Sequence, residues 1–211
     1  MSSLSSCGAA MDRTAQAQAN AYFSTPHIDA AGLETALKTL SPGQKLAWIR
    51  SLGRARQREL FDACAGRAMT IADIVPEGFS TLTEVICEGR NTLPAFRLFQ
   101  KRFCRPEGQG GVLHGYNHQT MSPVTGPGYF VALDDAGTGE VVIDYRRLPD
   151  SKAAGWPQII PNENRLGILV YSGMVDRLRR VSDDIFIGRA FKGDRPMSAW
   201  FILYRTLAGV D

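Results

Sequence analysis

The chain has 211 residues, of which 44% are hydrophobic and 21% charged, a composition that excludes wholesale disorder and supplies a core without disulfides or a structural metal. Its formal net charge of +3 is too small to imply nucleic acid. The two basic groups, Arg97, Lys101, Arg102 and Arg105 and then Arg177, Arg179 and Arg180, read as solvated faces. No run of about 18 apolar residues occurs, so no membrane-spanning helix is expected.

Residues 1–28 are a Ser/Ala-rich leader, expected to be disordered or loosely ordered. Too little chain precedes Cys7 to hold the basic and apolar stretches of a lipoprotein signal, and Met11 is an alternative start. Cys7, Cys64, Cys87 and Cys104 form no C-x-x-C pair and have no histidines placed to complete a zinc site. They read as reduced thiols of a cytoplasmic protein, with no metal and no cofactor expected.

Residues 29–76 read as a helical cap or subdomain. Asp29 caps a helix whose Leu33, Leu37 and Leu40 share a face, and Ser41-Pro42 is an N-cap followed by proline in the first turn. The second helix carries Leu46, Ile49 and Leu52 and ends at Gly53. A third, from about Arg56 to Ala65, presents Leu60, Phe61 and Cys64 before Gly66. Thr81–Glu88 is rich in β-branched residues and reads as a strand. Asn91-Thr92-Leu93-Pro94 then resembles a cap for a helix with Phe96, Phe99 and Phe103 on one face, and a strand is the alternative for the same residues.

Past Pro106 the hydrophobic period changes to two. Strands are predicted at Val112–Met121, Tyr129–Leu133, Glu140–Arg147, Leu166–Ser172, Met174–Val181, Ile185–Phe191 and Ala199–Thr206. The short connections Asp134–Gly139 and Ser182–Asp184 require antiparallel neighbours. With Thr81–Glu88 the count is about eight, enough to close a barrel around side chains or one small ligand. The fold class is therefore mainly β with an α N-terminal part: an antiparallel barrel over 77–211, preceded by three short helices. Pro149–Asn164, with Trp156, is too irregular for a strand and reads as a functional or a mobile loop; the barrel mouth would be covered by this loop or by the helices.

The most polar strand is Val112–Gln119, where alternation puts His114, Tyr116 and His118 on one face and Gly115, Asn117 and Gln119 on the other. Residues four apart on a strand are about 13 Å apart, so the two histidines cannot share one metal ion. Facing inward, His118 or His114 would serve as general base and Tyr116 as a hydrogen-bond donor to developing charge. Facing water, the three are ordinary surface residues, and the pattern leaves both orientations open. In Met174–Val181 neither face is cleanly apolar, and a buried arginine there needs a carboxylate from Asp144, Asp176 or a ligand. No nucleophile elbow and no phosphate-binding glycine loop is present. Asp134-Asp135 and Asp183-Asp184 are explained as turn residues.

The run Tyr171–Asp184, then Ile187-Gly-Arg-Ala190 and Trp200-Phe-Ile-Leu203, resembles the end of the small lipocalin-like (calycin-type) β-barrels of uncharacterised bacterial proteins. Phe96–Phe103 is similar to the short plug helix of such proteins, and the likeness spans roughly residues 93–206. The Gly-x-Trp element that opens a lipocalin is absent, and no catalytic residue is carried over. Three functional readings follow. The first is a binding module for a small, largely apolar organic ligand, with Tyr116, His118, Tyr129, Arg177, Arg179 and Trp200 as candidate contacts. The second is a cofactor-independent isomerase, cyclase or dehydratase using His118, Tyr116 and His114 in the same cavity. The third is a protein interaction module whose helices present Trp48, Leu52 and Phe61, with a homodimer as the partner. Neither nucleic acid nor membrane is an expected partner.

Overall fold

The computed structural model describes residues 17, 19–23, 27–94, 97–118, 126–161 and 173–206. Within them eight strands form a closed antiparallel barrel: β1 (Val85–Asn91), β2 (Leu98–Cys104), β3 (Val112–His118), β4 (Tyr129–Asp135), β5 (Glu140–Asp144), β6 (Met174–Arg180), β7 (Ile185–Lys192) and β8 (Arg195–Thr206). Each strand pairs with its neighbour in the chain, and β8 pairs back onto β1, which removes both sheet edges. Up-and-down order sorts the connections between two ends. The β2–β3, β4–β5 and β6–β7 links lie at one end, here the base, and the β1–β2, β3–β4, β5–β6 and β7–β8 links at the other, the mouth.

Besides the helical residues 17 and 19–21, four helices with both ends among the described residues precede the barrel: α1 (Ala30–Lys38), α2 (Pro42–Ser51), α3 (Arg54–Ala63) and α4 (Ile71–Ile74). The predicted caps are in place. Asp29 Oδ1 accepts from the amides of Ala31 and Gly32 at 3.1 and 3.0 Å, and Ser41 with Gln44 forms a reciprocal capping box. The buried faces of α1, α2 and α3 share a core with Ile185, Ile187, Trp200, Ile202 and Tyr204, which lie on the outside of β7 and β8. These helices therefore cover the barrel wall and not its mouth. Ala19 and Phe23, from the stretch expected to be loose, are buried in the same core, at 0% and 5% exposure.

The short helix α4 plugs the base. Met69, Ile71, Ile74 and Val75 belong to the core that fills the barrel. Polar contacts fix the plug: the Ile71 amide donates to Asp134 Oδ1 at 2.7 Å, the Met69 amide to the Gly139 carbonyl at 2.9 Å, and Arg205 Nη1 to the Asp73 carbonyl at 2.5 Å. The plug thus precedes the first strand. Within the helix predicted over Phe96–Phe103, the residues from Leu98 onward belong to β2 instead, because Phe99, Lys101 and Phe103 alternate onto the inner face while the backbone completes ladders with β1 and β3. The predicted strand Leu166–Ser172 lies outside the described residues, so the eight strands include β2 in its place.

Interior aromatic rings are admitted by inward-facing glycines. A Cβ at Gly115 would lie 2.4 Å from the Phe130 ring and 2.6 Å from the Arg102 carbonyl oxygen, and one at Gly188 would lie 2.2 Å from the Phe201 ring. The Arg102 carbonyl belongs to a strand ladder and cannot swing away. Gly115→Ala is therefore expected to lose about 1–3 kcal/mol through overpacking, which lowers the melting temperature by about 2–4 °C for each kcal/mol in a domain of this size. Calorimetry checks this, and an unchanged melting temperature would show that the ring and ladder yield freely. Among the described residues, no helix is long and apolar enough to cross a membrane.

Candidate functional site

Inside the barrel each strand presents a mainly apolar row, and four of the rows contribute a buried polar side chain to one cluster: Lys101 between Phe99 and Phe103 on β2, Asn117 beyond Leu113 and Gly115 on β3, Tyr145 after Val141 and Ile143 at the end of β5, and Asp176 between Met174 and Leu178 on β6. The register brings the four together. Lys101 Nζ donates to Asn117 Oδ1 at 2.9 Å, to Asp176 Oδ2 at 3.1 Å and to the Tyr145 hydroxyl. The Asn117 side-chain amide donates to the Tyr145 oxygen at 3.0 Å, and the Tyr145 hydroxyl donates to Asp176 Oδ2 at 3.0 Å. All three ammonium hydrogens thus have acceptors, as a charge removed from water requires.

An aromatic box surrounds the ammonium. Nζ lies 5.7, 5.1, 5.0 and 4.9 Å from the ring centres of Phe99, Phe130, Tyr145 and Phe201, and the negative ring faces attract a cation at such distances. Lys101 is 2% exposed. Burial is the largest influence on it and pushes its pKa below the ordinary lysine value, with Asp176 acting in the opposite direction.

The cluster lies in the mouth half of the barrel. Asn117 is next to the last residue of β3, Tyr145 directly follows β5, and Asp176 is the third residue of β6. Toward the base, Phe103, Leu113, Phe130, Val141, Leu178 and Phe186 are fully buried and pack down to the α4 plug. Side chains fill that half. Burial raises the pKa of the thiol of Cys87, which faces this core, to about 12, and those of Cys64 and Cys104, buried elsewhere, to about 11 each, so all three stay protonated and unreactive at neutral pH.

Of the two orientations left open for His114, Tyr116 and His118, the same register gives the outward one. Asn117 and Gly115 take the inner face, so the three aromatic side chains point outward. Tyr116 and Tyr129 share an outer cluster with Cys104, Ala153 and Trp156. The segment 149–161 lies along this outer wall, anchored where Trp156 Nε1 donates to Glu84 Oε2 at 2.5 Å, so across its described length it is no lid over the mouth. His114 Nδ1 contacts the Ser151 carbonyl at 3.0 Å under that segment, while His118 is exposed, and burial with nearby Arg102 lowers its pKa.

Arg177, Arg179 and Trp200 also lie outside. Arg177 pairs with Asp135 and Glu140 at 2.8 and 3.2 Å, and Arg179 pairs with Glu140 at 2.6 Å and stacks 3.9 Å from the Phe61 ring centre. Trp200 belongs to the core under the helices. None of the six predicted contacts reaches the interior. Trp48, Leu52 and Phe61 are at most 3% exposed in the core under the helices, so they are not presented to a partner.

A concavity of about 410 Å³ lies outside the barrel between α1–α2 and the β6–β7 turn. Its lysines are paired, Lys45 with Asp184 at 2.5 Å and Lys38 with Asp183 at 3.2 Å, and Arg205, which also lines it, donates to the Asp73 and Asp183 carbonyls. No protein-family profile, no curated protein and no solved structure matches the chain. The closed antiparallel barrel is consistent with the lipocalin-like architecture expected, and function must be argued from the interior cluster.

Proposed function

We propose that the protein binds a small, largely apolar organic molecule in the mouth half of the barrel, with the polar end of that molecule held by Lys101, Tyr145 and Asn117. The observation that carries this reading is the buried ammonium inside the aromatic box. An ion pair taken out of water rarely stabilises a fold more than apolar residues of the same volume would, because desolvation offsets the Coulomb attraction. A solid core would have served the barrel better. A perturbed titratable group in a concave apolar setting is the usual mark of a site that meets a ligand.

The rim supports the same end as the way in. Leu93, Leu98, Leu148 and Met197, the large hydrophobics most exposed among the described residues, all lie at the mouth, whereas the base is stoppered by α4. Arg97, Arg147, Lys192 and Arg195 are exposed at that end too, against Asp150 and Asp194, while Arg146 is paired with Asp144 at 2.8 Å. Such a rim favours an amphiphile bearing an acceptor or an anionic head.

Lys101→Met tests the reading with a dansyl-labelled medium-chain carboxylic acid as the probe. Fluorescence titration should show saturable binding to the native protein, weakened by about 10- to 150-fold in Lys101→Met, which corresponds to loss of a charged hydrogen bond of about 1.5–3 kcal/mol. Equal affinity in the two proteins, or binding abolished instead by His118→Ala on the outer wall, would overturn it.

A further inference from the structure

The geometry points to a covalent mode of binding: Lys101 captures an apolar aldehyde or ketone as a protonated imine inside the barrel. This rests on the ligand-binding reading above and names the substrate class for the same site.

Three features of the cluster suit the chemistry. The amine is the nucleophile, and its proton has an acceptor 3.1 Å away in Asp176 Oδ2. The Tyr145 hydroxyl touches both groups, donating to Asp176 at 3.0 Å and accepting from Lys101, so a proton can pass from the carboxyl through the phenol to a carbonyl oxygen. The surroundings then suit the product, since an iminium carries the same single positive charge as the ammonium it replaces. Asp176 remains its counter-ion and the four rings remain its cation-binding faces. Burial, which favours the neutral amine, assists the attack.

The steps balance. Asp176 takes one proton from the ammonium, the freed nitrogen pair attacks the carbonyl carbon, and the carbonyl π pair moves to oxygen, which receives that proton through Tyr145. A second N–H proton follows the same route through Asp176. The nitrogen pair then forms the C=N bond as the C–O bond breaks, and the oxygen leaves as water with both protons. Ammonium plus carbonyl compound becomes iminium plus water, with Asp176 ionised at the start and the end. No oxidant, reductant or metal is needed.

The test uses the full chain with decanal as the probe and cyanoborohydride to reduce any imine to a stable secondary amine, read by intact mass and peptide mapping. The expected result is a single adduct per chain on Lys101, formed ahead of the surface lysines and suppressed by excess decanol, which should compete for the same site but cannot form an imine. Adducts confined to surface lysines would overturn the proposal. Decanol binding, followed by displacement of the dansyl acid, separates the two ideas. If decanol displaces the probe while Lys101 stays unmodified, the site binds ligands and imine chemistry is wrong; if decanol does not bind and Lys101 stays unmodified, both fail. Asp176→Asn should slow adduct formation on Lys101 while leaving surface labelling unchanged, and equal rates would remove Asp176 from the proton path.

Discussion

Asp176→Asn is expected to destabilise the protein by about 3–5 kcal/mol near neutral pH, because it leaves the Lys101 ammonium buried without a counter-charge. The asparagine still accepts a hydrogen bond, so the loss reports on charge and not on shape. The double variant Lys101→Met/Asp176→Leu should recover most or all of it, since an apolar pair of similar volume avoids desolvation altogether. Urea titration of the single and double variants gives the coupling directly. A single variant as stable as the native protein would mean that Lys101 is already neutral, or that the pair is wetter than its 2% and 7% side-chain exposures imply.

The same pair sets a pH dependence. Burial holds the folded pKa of Lys101 below the ordinary value of 10.5. Below the folded pKa both states carry the proton and the contribution is level. Between the folded pKa and the unfolded value the unfolded chain binds the extra proton, so stability rises with pH across that interval. The loss in Asp176→Asn should likewise shrink as the pH climbs, because an unpaired amine sheds its proton more readily. Lys101→Met/Asp176→Leu should lack this alkaline component.

Trp48→Ala should be comparably damaging, at about 3–5 kcal/mol. Trp48 is fully buried on α2, with the Phe23 ring centre 6.3 Å away, in the core that joins the helices to the outer faces of β7 and β8. Its indole N–H is buried without a hydrogen-bond partner, so Trp48→Phe removes little besides volume and should be much milder. Helices that share a core with the wall must unfold with it. Far-ultraviolet circular dichroism and tyrosine fluorescence should therefore report one coincident transition in both variants. A barrel that melts at its native temperature after Trp48→Ala would make the helices a separate unit.

The architecture was legible in the sequence because period-two alternation and short Asp/Gly turns leave few options between Val112 and Thr206. The helix caps at Asp29 and Ser41 were legible for a similar reason, since side-chain capping is local chemistry. The candidate site was not. Two rows of the form apolar–polar–apolar were present, Phe99-Lys101-Phe103 and Met174-Asp176-Leu178, but Phe96, Phe99 and Phe103 satisfy a helical wheel nearly as well as a strand, and reading them as a helix removed Lys101 from the interior. In Val112–His118 the His and Tyr side chains drew attention to one face, while the residue that faces inward, Asn117, shares its face with two less conspicuous neighbours, Leu113 and Gly115. Gly115 held the signal. An inward glycine leaves room for the ring of Phe130, whereas a glycine among outward aromatic residues has no such purpose. Asp176 was recognised as a carboxylate that a buried cation would need, yet its partner is a lysine from β2 and not an arginine of its own strand. That pairing depends on closure of the barrel, which no local pattern encodes.

Nitrogen-15 NMR of the lysine side chains tests the central claim most directly. A fully hydrogen-bonded ammonium shielded by aromatic faces should give a Lys101 Nζ resonance separated from those of the solvated lysines, with slowly exchanging protons. Adding decanoate should shift that resonance while the imidazole signals of His114 and His118 stay in place. A Lys101 resonance that is indifferent to decanoate, with the imidazoles moving instead, would put the binding site on the outer wall and contradict the account.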